Sequence, residues 1–100
     1  MRKYRVAISG EARRMLTEHV FFLARINPEA AKRLQKKLMD AIRSLETMPE
    51  RYPFLDPDDR RSPYRKMVAT ENHLIIYTIQ DDTVFVEYVI DGRQDYGWLF

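Results

Sequence analysis

The alternation of apolar and polar residues near the start of the chain predicts a short β-strand. Tyr4, Val6 and Ile8 alternate with polar or small residues over positions 3–9, and this period-two pattern is typical of a strand with one buried face. Ser9 then precedes a run with helical spacing, which makes it a suitable helix N-cap. We therefore expect a strand that leads directly into a helix.

Apolar residues at helical spacing then predict two helices. The first helix carries a wide apolar stripe, made of Ala12, Met15, Leu16, His19, Val20, Phe22, Leu23 and Ile26. The second places apolar residues three and four apart, at Ala31, Leu34, Leu38, Ala41, Leu45 and Met48. Asn27 and Pro28 form its start signal, and Pro49 is expected to end it. Because the connection is so short, the helices are expected to form an antiparallel hairpin.

Three more strands are predicted in the second half of the chain. Segment 49–63 contains four prolines and clusters of charge, so it is interpreted as a loop that Tyr52, Phe54 and Leu55 attach to the core. Strand-like runs follow at 64–70, 73–79 and 83–90, with breaks short enough for tight hairpins.

Alternation within the last run assigns its residues to two faces of the sheet. Val84, Val86, Tyr88 and Ile90 form the all-apolar set and are expected to face the helices, with Glu87 on the open face. The predicted fold is α+β, with two layers in the order β-α-α-β-β-β, and a helical hairpin packed on a mostly antiparallel four-stranded sheet. Residues 1–100 are expected to form a single domain.

Composition excludes several classes of site. The chain has no Cys and only two His, so disulfides and thiolate chemistry are excluded and neither a metal site nor a cofactor is predicted. Its start resembles neither a secretion signal nor a membrane anchor, so we expect a cytoplasmic protein that contacts no membrane.

Charge is divided unevenly along the chain. Residues 1–47 hold eleven Lys and Arg against five Asp and Glu, a net charge of +6, whereas residues 48–100 hold six against ten, a net charge of −4. The basic face of the second helix could contact a nucleic acid or attract an acidic protein partner, but it is first of all consistent with a solvated amphipathic helix.

Three further positions could carry chemistry. Arg65 and Lys66 follow Tyr64 at a strand start, where they could hold a phosphate, although one of the two basic side chains is expected to be solvated. His73 could act as a general base, but no neighbour at strand spacing orients it except Glu71 across the turn, so an ordinary strand-end role is favoured. His19 is interpreted as a packed histidine of the first helix.

Segments spread over nearly the whole chain together resemble the RelE/ParE superfamily, the toxins of bacterial type II toxin–antitoxin modules. The resemblance rests on Ala12 with Leu16, Pro28-Glu29-Ala30-Ala31, Ile42 with Leu45 and Met48-Pro49, YRKMVATENHLIIYTI, and IDGRQDY. It implies the fold derived above, plasmid stabilisation or growth inhibition as the role, and an acidic cognate antitoxin as the partner. RelE-like members cut mRNA on the ribosome, whereas ParE-like members bind DNA gyrase.

The ribonuclease pattern of the superfamily is incomplete in this chain. The resemblance implies Arg65, Lys66, Arg93 and Tyr96 as its catalytic residues, but Leu74 stands where the arginine that stabilises the reacting phosphate is expected. The loss of such a donor would cost roughly 10²–10³ in rate, by analogy with an oxyanion hole. The ParE-like branch fits better, since Asp91-Gly92-Arg93-Gln94 stands at its His-Gly-Arg-Arg-like segment, with Asp91 and Gln94 as departures.

These comparisons lead to explicit expectations about surfaces. We expect DNA gyrase to be bound by the end of the chain, through Arg93, Gln94, Tyr96, Trp98 and Phe100, although Trp98, Leu99 and Phe100 could instead cover an edge of the core. We expect the antitoxin to be bound by the basic face of the second helix, through Lys32, Lys36, Lys37 and Arg43. A homodimer or a hetero-oligomer with the antitoxin is compatible with this pattern. The alternatives are an mRNA endoribonuclease and a decayed toxin that only binds its antitoxin.

Overall fold

The computed structural model describes residues 2–93, which contain four strands and two helices. In chain order they are β1 (Arg5–Ile8), α1 (Gly10–Ala24), α2 (Pro28–Arg43), β2 (Arg65–Thr70), β3 (His73–Gln80) and β4 (Thr83–Asp91). The predicted order of elements is confirmed. None of the helices in this part of the chain is both long and apolar enough to cross a membrane.

The four strands form one sheet in the order β1-β4-β3-β2. The neighbouring pairs β2–β3 and β3–β4 are antiparallel, whereas β1 lies parallel to β4 at one edge. The parallel pairing of β1 is possible because the two helices, which come between β1 and β2 in the chain, return the chain to the sheet. The predicted two-layer α+β architecture is therefore confirmed.

Side-chain caps start both helices where the sequence predicts them. The Ser9 Oγ accepts a hydrogen bond from the Ala12 N–H at 2.9 Å, and the Asn27 Oδ1 accepts one from the Ala30 N–H at 3.1 Å. Each cap satisfies one of the backbone donors that the first turn of a helix leaves unpaired.

The main core lies between the helices and one face of the sheet. Leu38 and Ile42 of α2 pack there with Ala12 and Leu16 of α1. The sheet contributes Met67, Ile75, Tyr77, Val84, Val86 and Val89. The Tyr77 hydroxyl donates a hydrogen bond to the Pro49 carbonyl at 2.5 Å, and burial raises the pKa of this phenol to about 12.

The predicted apolar stripe of the first helix is wrong at its C-terminal end. Phe22 and Ile26 are 67% and 69% exposed, and α1 buries Ala12 and Leu16 nearer its start instead. Periodicity identifies one face of a helix but not how far the neighbouring elements extend along it. These two side chains lie at the turn between the helices, outside the contact with the sheet.

The predicted extent of the second helix is also wrong. The helix α2 ends at Arg43, and a 3₁₀ turn at Ser44–Glu46 buries Leu45. Met48 has a φ of 48° and is 60% exposed. The proline at position 49 disfavours a right-handed helical conformation at Met48, so the helix cannot continue to that point.

A bulge in β4 contradicts the predicted assignment of its two faces. Tyr77 pairs with Val86 on one side of the bulge, and Ile76 pairs with Tyr88 on the other. Glu87, between Val86 and Tyr88, is therefore an extra residue on β4. After the bulge the alternation is reversed, and Val89 reaches the helix side. The residues Tyr88 and Ile90, predicted to face the helices, instead pack with a second apolar cluster.

The loop between α2 and β2 supplies the cover for this second cluster. Leu55 is 4% exposed and packs with Ile76 and Ile90. Ile76 alternates with Ile75 and Tyr77 of the main core, so the second cluster lies on the other face of the sheet. The predicted attachment of the loop is confirmed for Leu55, and for Tyr52, which packs against the main core. It is wrong for Phe54, which is 44% exposed.

Candidate functional site

Two adjoining grooves lie where the turn between the helices meets the β2–β3 turn and the end of β4. The tip groove, of about 720 Å³, is lined by α1 side chains that include Phe21 and Phe22. The side groove, of about 860 Å³, is lined by α2 side chains that include Arg33 and Lys37. His73 and Arg93 line both grooves, so the two grooves form one continuous concave surface.

Two histidines from different elements meet in the tip groove. The rings of His19 on α1 and His73 on β3 lie 5.3 Å apart and are tilted by 55°. The Thr70 Oγ1 lies 2.8 Å from His73 Nδ1 and accepts a hydrogen bond from the Asn72 N–H, so the β2–β3 turn orients this ring. Burial lowers the pKa of both histidines, and the proximity of His19 lowers the pKa of His73 further. The pair is therefore held in its neutral form near pH 7.

A bidentate ion pair closes the end of the site. The Arg93 Nε and Nη2 donate to the two Asp91 carboxylate oxygens at 3.0 and 2.7 Å, and the Arg93 N–H donates to Asp91 Oδ1 at 2.9 Å. Mainly through these hydrogen bonds, Arg93 lowers the pKa of Asp91 to about 2. The Asp91 side chain is only 14% exposed, whereas that of Arg93 is 67% exposed. The remaining N–H groups of the Arg93 guanidinium can bind an anion, and Asp91 holds the guanidinium in place.

The neutral histidine pair predicts a specific dependence of stability on pH. The unfolded chain binds protons at His19 and His73 near pH 6.5, whereas burial opposes this binding in the folded state. The free energy of unfolding is therefore expected to keep its full value above about pH 6.5 and to decrease as the pH is lowered from there to about 5.5. Urea unfolding at both pH values measures the loss. The loss should be smaller in His19→Phe, and equal stability of the wild-type protein at the two pH values would contradict the prediction.

The two basic residues predicted on β2 have different surroundings. The Arg65 Nη1 donates to the Tyr52 and Glu50 carbonyls at 2.7 and 3.1 Å, and its guanidinium carbon lies 4.0 Å from the centre of the Phe54 ring. Arg65 thus ties the loop before β2 to the sheet. Lys66 is half-buried and pairs with Ile76 in the strand register.

The structure does not bring the predicted ribonuclease residues together. In the sheet register, Arg65 of β2 lies opposite Tyr77 of β3, and Asp91 of β4 lies opposite His73 of β3. Arg93 is held beside Asp91 by their ion pair. Tyr77 and His73 are four residues apart on β3, a separation of about 13 Å along the strand. Arg65 therefore lies beside the middle of β3, whereas the Asp91–Arg93 ion pair lies at the first residue of β3. Tyr96, the remaining member of the predicted set, lies outside the described residues.

The four basic residues predicted to bind an antitoxin also divide between two surfaces. By helical geometry Lys32, Lys36 and Arg43 project from the side of α2 away from the core, where all three are exposed. Lys36 pairs with Asp40 at 3.0 Å. Lys37 instead lines the side groove. Of the residues predicted to bind a target, only Arg93 is described, since Gln94, Tyr96, Trp98 and Phe100 lie outside residues 2–93.

Sequence reasoning missed the cluster formed by His19, His73 and Asp91. The sequence alone favours an ordinary strand-end role for His73 and a packing role for His19, because the spacing along each element shows no partner that would orient either ring. A signal was present in the predicted β3–β4 hairpin, which places the end of β4 beside the start of β3. The approach of α1 to this point carries no signal in the sequence.

Comparison with known proteins identifies the family. The family model described as "ParE toxin of type II toxin-antitoxin system, parDE" matches residues 6–96. The chain belongs to the ParE toxin family. No curated protein sequence gives a significant match to this toxin.

Solved structures share the fold of the toxin at low sequence identity. A structure titled "Chromosomal ParDE TA system from P. aeruginosa" superposes with a TM-score of 0.75 at 9% identity, covering 91% of this chain and 98% of the other. A conserved hypothetical protein from Helicobacter pylori gives 0.59 at 12% identity, with 97% and 99% covered. The E. coli DinJ-YafQ toxin-antitoxin complex gives 0.54 at 16% identity, with 95% and 99% covered.

Proposed function

We propose that this ParE-family toxin acts by binding DNA gyrase, without cutting a nucleic acid, and that an acidic antitoxin neutralises it. The observation that carries the proposal is the separation of Arg65 from Arg93. Catalysis of phosphoryl transfer depends mainly on preorganised positive groups around the reacting phosphate. Here one arginine holds backbone carbonyls of a loop and the other is held by Asp91.

A residue near the start of β3 supports the same proposal. Leu74 stands at the position where the ribonuclease branch is expected to place an arginine, and it packs with the second apolar cluster. An apolar side chain there offers no charge to a phosphate. The family match supports the ParE branch independently of this argument.

An acidic antitoxin fits the charge of the helical half of the toxin. Lys32, Lys36 and Arg43 stand exposed on α2, and Arg33 and Lys37 line the side groove. Positive surfaces of this kind accelerate association with an acidic partner. The P. aeruginosa ParDE structure and the E. coli DinJ-YafQ structure are both toxin–antitoxin systems by their titles, which makes a partner of this class the natural expectation.

Induction of the toxin alone in bacteria tests the proposed target. We expect filamentation and a DNA damage response with intact mRNA, because a gyrase poison acts on chromosomes. Growth should recover on co-expression of the antitoxin, which we expect to be encoded beside the toxin gene. Arg93→Met should reduce the effect, and Arg13→Met, at an exposed position of α1, serves as the matched control.

Two other results would each replace the proposal. Rapid cleavage of mRNA with intact chromosomes would identify an endoribonuclease of the RelE-like kind. Unimpaired growth at confirmed soluble expression would identify a decayed toxin that only binds its antitoxin.

A further inference from the structure

One exposed face of the first helix changes from polar to apolar toward the helix turn. Its exposed residues recur in pairs every four positions, at Thr17, Glu18, Phe21, Phe22, Arg25 and Ile26. We call this set the α1 stripe. Phe21, Phe22 and Ile26 are 66%, 67% and 69% exposed. Single exposed apolar residues are common, but three large ones side by side mark a surface that binds another molecule.

Two opposite charges flank the phenylalanines of the α1 stripe. Glu18 lies about one turn before them, and Arg25 lies about one turn after them. The Arg25 N–H donates to the Phe21 carbonyl at 3.3 Å, so the helical path continues to this residue. Glu18 pairs with Arg14 at the surface, whereas Arg25 forms no ion pair within residues 2–93. The apolar centre of the stripe is therefore bounded by one acid and one base.

The order of these residues is self-complementary about a two-fold axis. When two copies of α1 lie antiparallel with the axis between Phe21 and Phe22, each residue faces the one equally far from the axis on the other copy. Phe21 then faces Phe22 of the second copy. Glu18 and Arg25 face each other in the same way, because they are equally far from the axis on its two sides. A second copy of the chain thus supplies both the apolar surface and the opposite charges that the stripe requires.

We propose that the toxin associates with a second copy of itself through the α1 stripe, with the two helices antiparallel. The phenylalanines of both copies are removed from water together, and two Glu18–Arg25 ion pairs form at the edges of the contact. A parallel arrangement is disfavoured because it places like charges opposite each other. Phe21 and Phe22 also line the tip groove, so a molecule that binds to this wall of the groove competes with the second copy. The inference goes beyond the proposed function and does not depend on the identity of the target.

The size of the stripe indicates a weak association. At 66% and 67% exposure, Phe21 and Phe22 each present roughly 100–170 Å² to solvent, so the four rings of a dimer contribute roughly 400–700 Å². Ile26 and the polar edges bring the contact near the lower end of specific interfaces, about 1,200 Å². We therefore expect a dissociation constant on the order of 10 µM.

Sedimentation equilibrium of the isolated full-length toxin tests the association. Between about 1 and 200 µM protein, we expect the mean mass to rise from that of one chain toward that of two. Phe21→Ser/Phe22→Ser removes the apolar centre of the stripe and should leave a monomer throughout. Val68→Ser alters a similarly exposed apolar residue, 65% exposed, on β2, and should leave the association unchanged. Circular dichroism should show every variant folded, since substitutions of exposed residues rarely disturb a fold.

Charge reversal and its rescue test the antiparallel geometry. Glu18→Arg places a like charge opposite Arg25 twice in each dimer, so the dissociation constant should rise about tenfold at low salt. Glu18→Arg/Arg25→Glu exchanges the two charges and should return the constant to within about threefold of the wild-type value. Arg60→Glu makes a charge reversal of the same size on the exposed loop before β2, and should leave the constant unchanged.

Four results would overturn the proposal. One is a wild-type toxin that stays monomeric up to about 200 µM. Another is a dimer that survives Phe21→Ser/Phe22→Ser, because it would use a different surface. The third is a charge exchange that fails to rescue Glu18→Arg, which would exclude the antiparallel arrangement. The fourth is a mean mass above that of two chains, because a two-fold contact closes at two copies.

Discussion

Leu38→Ala is expected to lower the free energy of unfolding by about 2–5 kcal/mol. Leu38 is fully buried on the core face of α2, where it packs with both helices and the sheet. Its truncation removes apolar contacts and leaves a cavity that a close-packed core fills only in part. A domain of this size is stable by about 5–15 kcal/mol, so the expected loss is a large fraction of the total stability.

Urea unfolding followed by circular dichroism measures this loss. Val68→Thr keeps a β-branched residue at an exposed position of β2 and should change the free energy of unfolding by less than about 0.5 kcal/mol. A loss below about 1 kcal/mol in Leu38→Ala would show that this part of the core is looser than the structure indicates.

Arg65→Met is expected to have the second large effect and to lower the free energy of unfolding by about 2–3 kcal/mol. The guanidinium makes two hydrogen bonds to loop carbonyls and stacks on Phe54. Methionine retains part of the packing but leaves the Tyr52 carbonyl without its charged donor. The loop that covers the second cluster through Leu55 should loosen as a result.

Comparison with its neighbour distinguishes a structural from a catalytic role for Arg65. Lys66→Met should change stability by less than about 0.5 kcal/mol, and toxicity per folded molecule should persist in both variants. If both substitutions instead abolished toxicity with stability intact, the two residues would be acting on a substrate, and the proposal of a non-catalytic toxin would fail.

Local signals explain why so much of the fold was predictable. Ser9 and Asn27 cap the helices as expected, because capping depends only on neighbours along the chain. The strands follow from period-two alternation and short breaks in the same way. Arg93 was the only residue of the candidate site that could be predicted from the sequence, because it lies in a short segment that resembles the family.

The failures share one physical cause. The bulge at Glu87 pairs Asp91 rather than Ile90 with His73, and this shift places Asp91 and Arg93 beside the histidines. A single added residue changes the pairing of the rest of a strand, and alternation cannot detect it. Phe22 was misassigned for a related reason, since periodicity does not show where a partner element ends.

The sequence by itself determined the elements of this toxin, their order, their caps and its family, because these depend on local spacing and on segments that recur in order. Only the tertiary structure decided that His19, His73, Asp91 and Arg93 share one end of the sheet, and that Arg65 serves the loop. These are contacts between elements far apart in the chain, set by strand register and by the packing of α1, so no local pattern of residues encodes them.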